Sequence, residues 1–195
     1  VDIGSNSVRL VAYEGRTRSA TPLFHEKELC GLGRGLASSG RLDAEAIALA
    51  LAALRRFRAL ATQMGVSQMH VLATAAPREA SNGAEFIAAV SAICGVPVRL
   101  LTGGEEARLT ALGVISGIYR PNGIAGDLGG GSLEVIDVDN AVVGEGETFP
   151  LGGLRLEESS EKTVKKAEKI AADALAKSAV LARGEKRPFY AIGGT

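Results

Sequence analysis

Two short stretches, Asp2 to Ser7 (DIGSNS) and Asp127 to Ser132 (DLGGGS), decide how the rest of this 195-residue sequence is interpreted. Both contain an Asp, an aliphatic residue, a Gly and a final Ser at matching positions, and they lie 125 residues apart (127 minus 2). Each copy stands where one apolar stretch ends and a second begins. The pattern predicts a strand, a tight turn and another strand in both places.

Glycine-rich turns of this kind can bind phosphate. Glycines tolerate positive φ and leave the backbone bare, so successive N–H groups can converge on phosphate oxygens. Ser hydroxyls add donors, and an Asp at a strand end, such as Asp2 or Asp127, can hold the water shell of a magnesium ion. One such hairpin could equally be a plain tight turn. Two hairpins, each with its strand-end Asp, favour a pair of loops that clamp a phosphate chain.

Helices and strands alternate between and after the two loops. The predicted helices cover residues 42–64, 84–93, 104–117 and about 161–181. The predicted strands cover residues 1–3, 8–13, 69–73, 96–101, 123–128, 133–138, 141–149 and 189–192. The first helix should bury one stripe, formed by Ile47, Leu51, Leu54, Ala61 and Met64.

Strand-rich starts followed by helix–strand alternation, twice over, predict an α/β chain with two lobes. The turn at residues 120–123 is the candidate boundary, which gives one lobe over residues 1–121 and a second over 122–195. The last strand and its turn, Gly193 to Thr195, should lead into another helix. We therefore expect the second lobe to be incomplete at its C-terminus.

The composition argues against several classes of protein. The 22 Lys and Arg residues balance the 22 Asp and Glu residues, which disfavours a polycation that coats nucleic acid or an anionic membrane. Two cysteines, Cys30 and Cys94, are too few for a disulfide framework or a Cys-rich zinc module. They favour a reducing, cytoplasmic location. The longest apolar run, residues 46–54, is about half a membrane span. We expect no nucleic-acid partner and no membrane partner.

Six blocks, spread over almost the whole chain, together resemble the exopolyphosphatase / guanosine pentaphosphate phosphohydrolase (Ppx/GppA) family of the actin/Hsp70/sugar-kinase superfamily. The blocks are VDIGSNSVRL (1–10), TAAPREASN (74–82), TGGEEARL (102–109), GDLGGGSLEV (126–135), FPLGGLRL (149–156) and AIGGT (191–195). The second and third separate the phosphatases from the kinases and chaperones. The resemblance implies two actin-like (ribonuclease H-like) α/β lobes, with the active site in the cleft between them.

The resemblance also implies roles for individual residues. Glu106 corresponds to the catalytic base of the family, and Asp127 and Glu134 to its acidic catalytic residues near the metal. These two carboxylates and Asp2 are the expected Mg²⁺ ligands. Asn82 resembles a residue that lines the substrate cleft. The expected phosphate-binding residues are Gly4, Ser5, Asn6, Ser7, Arg78, Gly129, Gly130, Gly131 and Ser132.

Residue chemistry alone leaves some of these roles open. Glu105 and Glu106 should both lie in the first turn of a helix, where the helix dipole favours any acid. Adjacent helical residues point about 100° apart, so at most one of them can face an attacking water. The resemblance selects Glu106. Arg78 could equally be a solvated residue at a helix start after Pro77.

The expected function is a Mg²⁺-dependent exopolyphosphatase, in which Glu106 activates the water that releases the terminal phosphate of inorganic polyphosphate. The nearest alternative, removal of the 5′-terminal phosphate of guanosine pentaphosphate (pppGpp), uses the same motifs. Alternatives of another class are an actin-like ATP-binding switch or a kinase, because a turn such as Gly193 to Thr195 could approach adenosine. A catalytically silent polyphosphate-binding module is disfavoured by the three acids. The chain could also form a homodimer.

Overall fold

The computed structural model describes residues 1–15, 17, 18 and 20–193. The chain divides into two compact units, Val1–Leu101 and Thr102–Thr195. Both units are built from helices around one sheet, which confirms the α/β class.

The first unit has a five-stranded sheet in the order β3-β2-β1-β4-β5. Its strands are β1 (Asp2–Ile3), β2 (Ser7–Tyr13), β3 (Pro22–Leu29), β4 (Val71–Ala73) and β5 (Val98–Leu100). Its helices are α1 (Leu36–Ser39), α2 (Ala44–Gln63), α3 (Ala75–Glu79) and α4 (Gly83–Cys94). Strands β1 to β3 are antiparallel, whereas β4 runs parallel to β1 and β5 parallel to β4. The two long helices, α2 and α4, supply much of the buried core.

The second unit has a four-stranded sheet in the order β8-β7-β6-β9. Its strands are β6 (Asn122–Leu128), β7 (Leu133–Asp139), β8 (Val142–Phe149) and β9 (Phe189–Gly193). Its helices are α5 (Gly103–Gly117), α6 (Gly153–Ser159), α7 (Val164–Leu175) and α8 (Ala179–Arg183). Strands β6 to β8 are antiparallel and β9 runs parallel to β6.

The two sheets repeat one topology. In each, the first three strands form an antiparallel meander and the next strand pairs parallel with the first. The repeat extends to the loops: the N–H of Gly4 donates to the Ser7 carbonyl at 2.9 Å, and that of Gly129 to the Ser132 carbonyl at 3.0 Å. The two sequence copies therefore adopt the same closed hairpin.

The division between the units falls 20 residues before the predicted boundary at about residue 121 (121 minus 101). The reason is helix α5, which packs against the second sheet. Its buried residues Ala107, Ala111 and Val114 form one cluster with Ala125, Ile136 and Val138 of β6 and β7. The turn at 120–123 is thus a connection within the second unit.

The single helix predicted over residues 161–181 is wrong. Three helices, α6, α7 and α8, occupy residues 153–183. Glu161 and Lys162 have φ angles of 51° and 60°, which a right-handed helix does not allow. Ser178 then starts α8 by accepting a hydrogen bond from the Leu181 N–H at 3.0 Å. The alternating charges of this segment are typical of one solvated helix, although the chain breaks between α6 and α7 and again between α7 and α8. Strand β3 and the short helices α1, α3 and α6 were also missed.

Helix α2 lies within the predicted range, and its buried face overlaps the predicted stripe, because Leu54 and Ala61 are buried while Ile47 and Leu51 pack against the core. Its buried residues are Ala46, Ala50, Ala53, Leu54, Phe57 and Ala61, whereas Met64 is 40% exposed. A pattern of large apolar residues does not reveal the buried alanines, although their short side chains let a helix pack close to a sheet. Among the described residues, no helix combines the length and apolar character needed to cross a membrane.

We expect Ala53→Leu to lower the free energy of unfolding by about 1–3 kcal/mol, because a fully packed site cannot accept three more carbons without strain. Ala52→Leu is the matched control, since Ala52 is the exposed neighbour on the same helix and should change stability by less than about 0.5 kcal/mol. Urea unfolding measures both. Equal stability of the two variants would contradict the assigned helix face.

Candidate functional site

The hairpin of β6 and β7 brings two predicted site acids together. Asp127 and Glu134 are directly opposite each other in the antiparallel register. Opposed residues on neighbouring strands project to the same face, with Cβ atoms about 5 Å apart. Glu134 is buried, with 3% of its surface exposed, and its Oε1 oxygen accepts no hydrogen bond from the described residues, although the residue makes another interaction. Asp127 is half-buried.

Helix α5 covers the same face of the second sheet. Ala125 and Ile136 are opposed two residues before and after the acid pair, and both pack against α5. Thr110 of this helix donates its hydroxyl hydrogen to Asp127 Oδ2 at 3.1 Å. Glu106 lies four residues before Thr110, and residues at this spacing are neighbours on one side of a helix. The second unit therefore places Glu106, Asp127 and Glu134 on one side of its sheet.

The start of α5 gives the two adjacent glutamates different surroundings. Thr102 is the N-cap, and its Oγ1 accepts a hydrogen bond from the Glu105 N–H at 3.2 Å. The Glu105 carboxylate in return accepts hydrogen bonds from the N–H and hydroxyl of Thr102, at 2.9 and 3.0 Å. This reciprocal capping box commits Glu105 to the helix end. Glu106 lies outside the cap, on the side of the helix that carries Thr110.

The second of the two predicted phosphate loops, residues 129–132, follows β6 directly. Its carbonyls at Gly129 and Gly130 accept hydrogen bonds from the first N–H groups of α6. A trans peptide is planar, so its N–H points opposite to its carbonyl. The N–H groups of Gly130 and Gly131 therefore point away from α6, which leaves a side of the loop where backbone donors can face an anion. The Ser132 residue that closes the loop is buried.

The first loop, in the first unit, is held in the same way. The Asn6 carbonyl accepts hydrogen bonds from the N–H groups of Cys30 and Gly31, at 3.0 and 2.9 Å, and the Ser5 carbonyl accepts one from Gly33 at 2.7 Å. The Asn6 N–H, opposite the Ser5 carbonyl, accordingly points away from this segment. Ser5 is 4% exposed, so its position is fixed by packing.

Cys30 touches this loop but is not suited to nucleophilic chemistry. It is buried, and its thiol donates to the Glu28 carbonyl at 3.6 Å. Burial raises the pKa of Cys30 above its ordinary value, so the thiol stays protonated at neutral pH.

Arg78, predicted to bind phosphate, and Asn82, predicted to line the substrate cleft, make local contacts within the first unit. Arg78 belongs to α3 and donates from its guanidinium to the Leu101 carbonyl. The Asn82 side chain accepts from the Leu42 N–H at 2.8 Å and donates to the Leu42 carbonyl at 3.1 Å. Asn82 therefore fixes the start of the segment that leads into α2, a structural role.

Three further residues lie beside Asp127 or Glu134, and the sequence did not predict these contacts. Thr110 holds Asp127, and Thr148 of β8 is opposite Glu134 on the side away from Asp127. Gly193, at φ 78°, comes so close that a Cβ atom there would lie 2.6 Å from Asp127 Oδ1. The spacing of four residues between Glu106 and Thr110 indicates that Thr110 lies on the same side of the helix. The positions of Thr148 and Gly193 depend on strand register, which the sequence does not give. The remainder of the predicted Gly193–Thr195 turn, residues 194 and 195, lies outside the described residues.

The predicted magnesium ligands divide into two groups. Asp127 and Glu134 share a face, and two opposed carboxylates repel each other unless a cation or a proton intervenes. Carboxylate oxygens suit Mg²⁺, which keeps several waters and needs one or two carboxylates, so this pair fits the ion. Asp2 instead lies opposite Arg9 in the first hairpin. Within the part of the chain that the structure describes, no three His, Cys, Asp or Glu side chains form a metal-binding group.

Comparisons with known proteins agree with this architecture. The sequence model of the Ppx/GppA phosphatase family matches residues 10–184. A crystal structure of an exopolyphosphatase from Cytophaga hutchinsonii is similar at 26% identity and a TM-score of 0.82, over 98% of this chain and 64% of that one. The Ppx/GppA enzyme of Aquifex aeolicus is similar at 26% identity and a TM-score of 0.76, over 99% of this chain and 66% of that one.

A more distant similarity concerns the fold alone. The ethanolamine utilization protein EutJ of Carboxydothermus hydrogenoformans matches at 18% identity and a TM-score of 0.55, over the whole of this chain and 75% of that one. These neighbours confirm the actin-like fold for the α/β architecture. The chain spans about two thirds of the length of the two phosphatase-family structures named above.

We expect Thr102→Val to lower the free energy of unfolding by about 1 kcal/mol, because it removes the hydroxyl that caps α5 while keeping the shape of the side chain. Thr102→Ser keeps the hydroxyl and is the matched control, with an expected change of a few tenths of a kcal/mol. Denaturant unfolding compares the two. An equally stable Val variant would contradict the capping box.

Proposed function

The chain belongs to the Ppx/GppA phosphatase family, and on that premise we propose that it hydrolyses phosphoanhydrides by releasing the terminal phosphate of inorganic polyphosphate. The observation that carries the proposal is the arrangement in the second unit. There the opposed acids Asp127 and Glu134 lie on the sheet face covered by the α5 helix that carries Glu106, and a loop with outward N–H groups follows Asp127. The exopolyphosphatase from Cytophaga hutchinsonii, similar over nearly the whole chain, supports polyphosphate as the substrate.

Phosphoanhydride hydrolysis asks a protein mainly for charge neutralisation and an aligned water. The backbone N–H groups of Gly130 and Gly131 would donate to the oxygens of the terminal phosphate, where preorganised donors stabilise the negative charge of the transition state. Ser132 closes this loop and holds its shape. The loop thus binds and orients the substrate without contributing a covalent step.

Glu106 is the general base that we assign to the attacking water. Its carboxylate would accept a hydrogen bond and then a proton from the attacking water, as a general base does. Glu105 is unsuited to this role because the capping box holds its carboxylate at the helix end. Asp127, held by Thr110, and Glu134 would bind the hydrated Mg²⁺. When bound, that ion supplies positive charge next to the phosphate oxygens.

The same residues would serve for removal of the 5′-terminal phosphate of pppGpp, which remains the alternative substrate. Phosphate release from long polyphosphate and from pppGpp, measured on the same preparation, separates the two. We expect the higher kcat/KM on polyphosphate. Tight ATP binding with no phosphate release from either substrate would overturn the hydrolase assignment and favour an ATP-binding switch or kinase.

We expect Glu106→Gln to lower kcat for phosphate release by about a hundredfold or more, because the amide cannot take the proton from water. Glu105→Gln is the matched control on the adjacent residue. It keeps an acceptor oxygen for the cap and removes only a negative charge near the helix N-terminus, so it should reduce stability by less than about 1 kcal/mol and leave kcat within about threefold. Colorimetric phosphate release measures both. Similar kcat values in the two variants would contradict the assignment of the base.

Removal of divalent metal should abolish phosphate release, and Mg²⁺ should restore it. Glu134→Gln removes one of the two opposed carboxylate charges, so the Mg²⁺ concentration for half-maximal activity should rise by about tenfold or more. Glu145→Gln, at an exposed position of the neighbouring strand β8 where the carboxylate pairs with Arg183, is the control and should leave that concentration unchanged. Full activity in the presence of a chelator would contradict the proposed ion.

A further inference from the structure

The first turn of helix α6 is joined to the second phosphate loop by backbone hydrogen bonds. The Gly153 N–H donates to the Gly129 carbonyl at 3.0 Å. The N–H groups of Leu154 and Arg155 both donate to the Gly130 carbonyl, at 3.0 and 3.3 Å. First-turn N–H groups have no acceptor within their own helix, and α6 has no capping side chain. The loop carbonyls therefore act as the cap of α6.

Gly152, just before this helix, packs directly on the loop backbone. A Cβ atom at Gly152 would overlap with the C and N atoms of Gly131 and with the N atom of Ser132. Its φ of −59° and ψ of 150° are open to every residue, so conformation does not require glycine here. The requirement comes from contact alone, because no side chain fits between the two backbones. A Cβ at the next residue, Gly153, would meet nothing within 4 Å.

The first unit contains a looser form of the same contact. The Gly33 N–H donates to the Ser5 carbonyl at 2.7 Å, and a Cβ at Gly33 would lie 2.9 Å from the Ser5 Cβ. Both segments, 30–34 and 151–155, follow the third strand of their meander and end in an Arg. Support of a glycine-rich loop by the segment after the third strand is thus a repeated feature, and the second copy is the tighter one.

We propose that Gly152 and the N–H of Gly153 are positioning groups for the second phosphate loop. They fix the peptides whose carbonyls face α6, and so aim the N–H groups of Gly130 and Gly131 at the substrate phosphate. The inference rests on the proposed function, because it takes this loop as the phosphate-binding element. A small shift of α6 relative to the loop would rotate these peptides and turn their N–H groups away from the phosphate. Such a shift would slow the reaction more than it would destabilise the fold.

Two pairs of variants isolate the two contacts. Gly153→Pro deletes the N–H that donates to the Gly129 carbonyl. Proline is favoured at the first position of a helix, and Gly152 before it already has the extended conformation that a following proline requires. Gly153→Ala keeps the N–H and is the reference for that variant. Gly152→Ala introduces the overlapping Cβ atom. Its reference is Gly113→Ala, a glycine of α5 with nothing within 4 Å of its Cβ position.

The measurements are kcat and KM for phosphate release from polyphosphate, together with the melting temperature of each variant. We expect Gly153→Pro to have a kcat at least about fivefold below Gly153→Ala, and Gly152→Ala at least about tenfold below Gly113→Ala, at temperatures well below every melting transition. A purely structural role would lower the melting temperature and leave kcat unchanged. Equal kcat within both pairs would overturn the proposal, and if Gly152→Ala does not fold, the Gly153 pair decides alone.

Failure of the proposed function is recognised separately. If the wild-type chain releases phosphate from neither polyphosphate nor pppGpp, the substrate assignment is wrong, and hydrogen exchange of the loop amides then tests the positioning groups. Faster exchange of the Gly130 and Gly131 amides in Gly153→Pro than in Gly153→Ala would support the positioning role. Unchanged exchange would overturn it.

Discussion

The hydrogen bond that closes each glycine-rich hairpin is the constraint on which the site depends. It joins the N–H of Gly4 to the Ser7 carbonyl in one unit, and that of Gly129 to the Ser132 carbonyl in the other. This closure fixes the register between the strand before each loop and the strand after it. In the second unit the register sets Asp127 opposite Glu134, on the face covered by α5. One loop hydrogen bond thus connects the backbone of the glycine-rich loop with the acidic pair.

The duplicated topology has diverged in chemistry. At the position where the second hairpin pairs Asp127 with Glu134, the first pairs Asp2 with Arg9. Two opposed acids create negative charge that suits a cation, whereas an acid opposite an arginine is already balanced. The two hairpins therefore share a backbone but differ in side chains, and only the second carries an opposed pair of acids.

Much of the fold follows from local patterns. The loops, the α5 start and most of the longer elements lie where the sequence predicts them, because glycine, capping residues and apolar periodicity act over a few neighbouring residues. The failures have a common cause. The break at Glu161 and Lys162 carries no glycine or proline, and most buried positions of α2 are alanines rather than large apolar residues. Neither feature leaves a local signal strong enough to detect.

The sequence by itself determined the two glycine-rich hairpins, their offset and the acids at their strand ends, since these depend on residue types at short spacing. Only the tertiary structure assigned α5 to the second unit, placed Thr110 against Asp127 and set Gly152 against the Gly131 backbone. Each of those outcomes depends on how elements distant in the sequence pack. A glycine needed for a close contact looks, in the sequence, the same as a glycine needed for a turn, and only the neighbouring backbone distinguishes them.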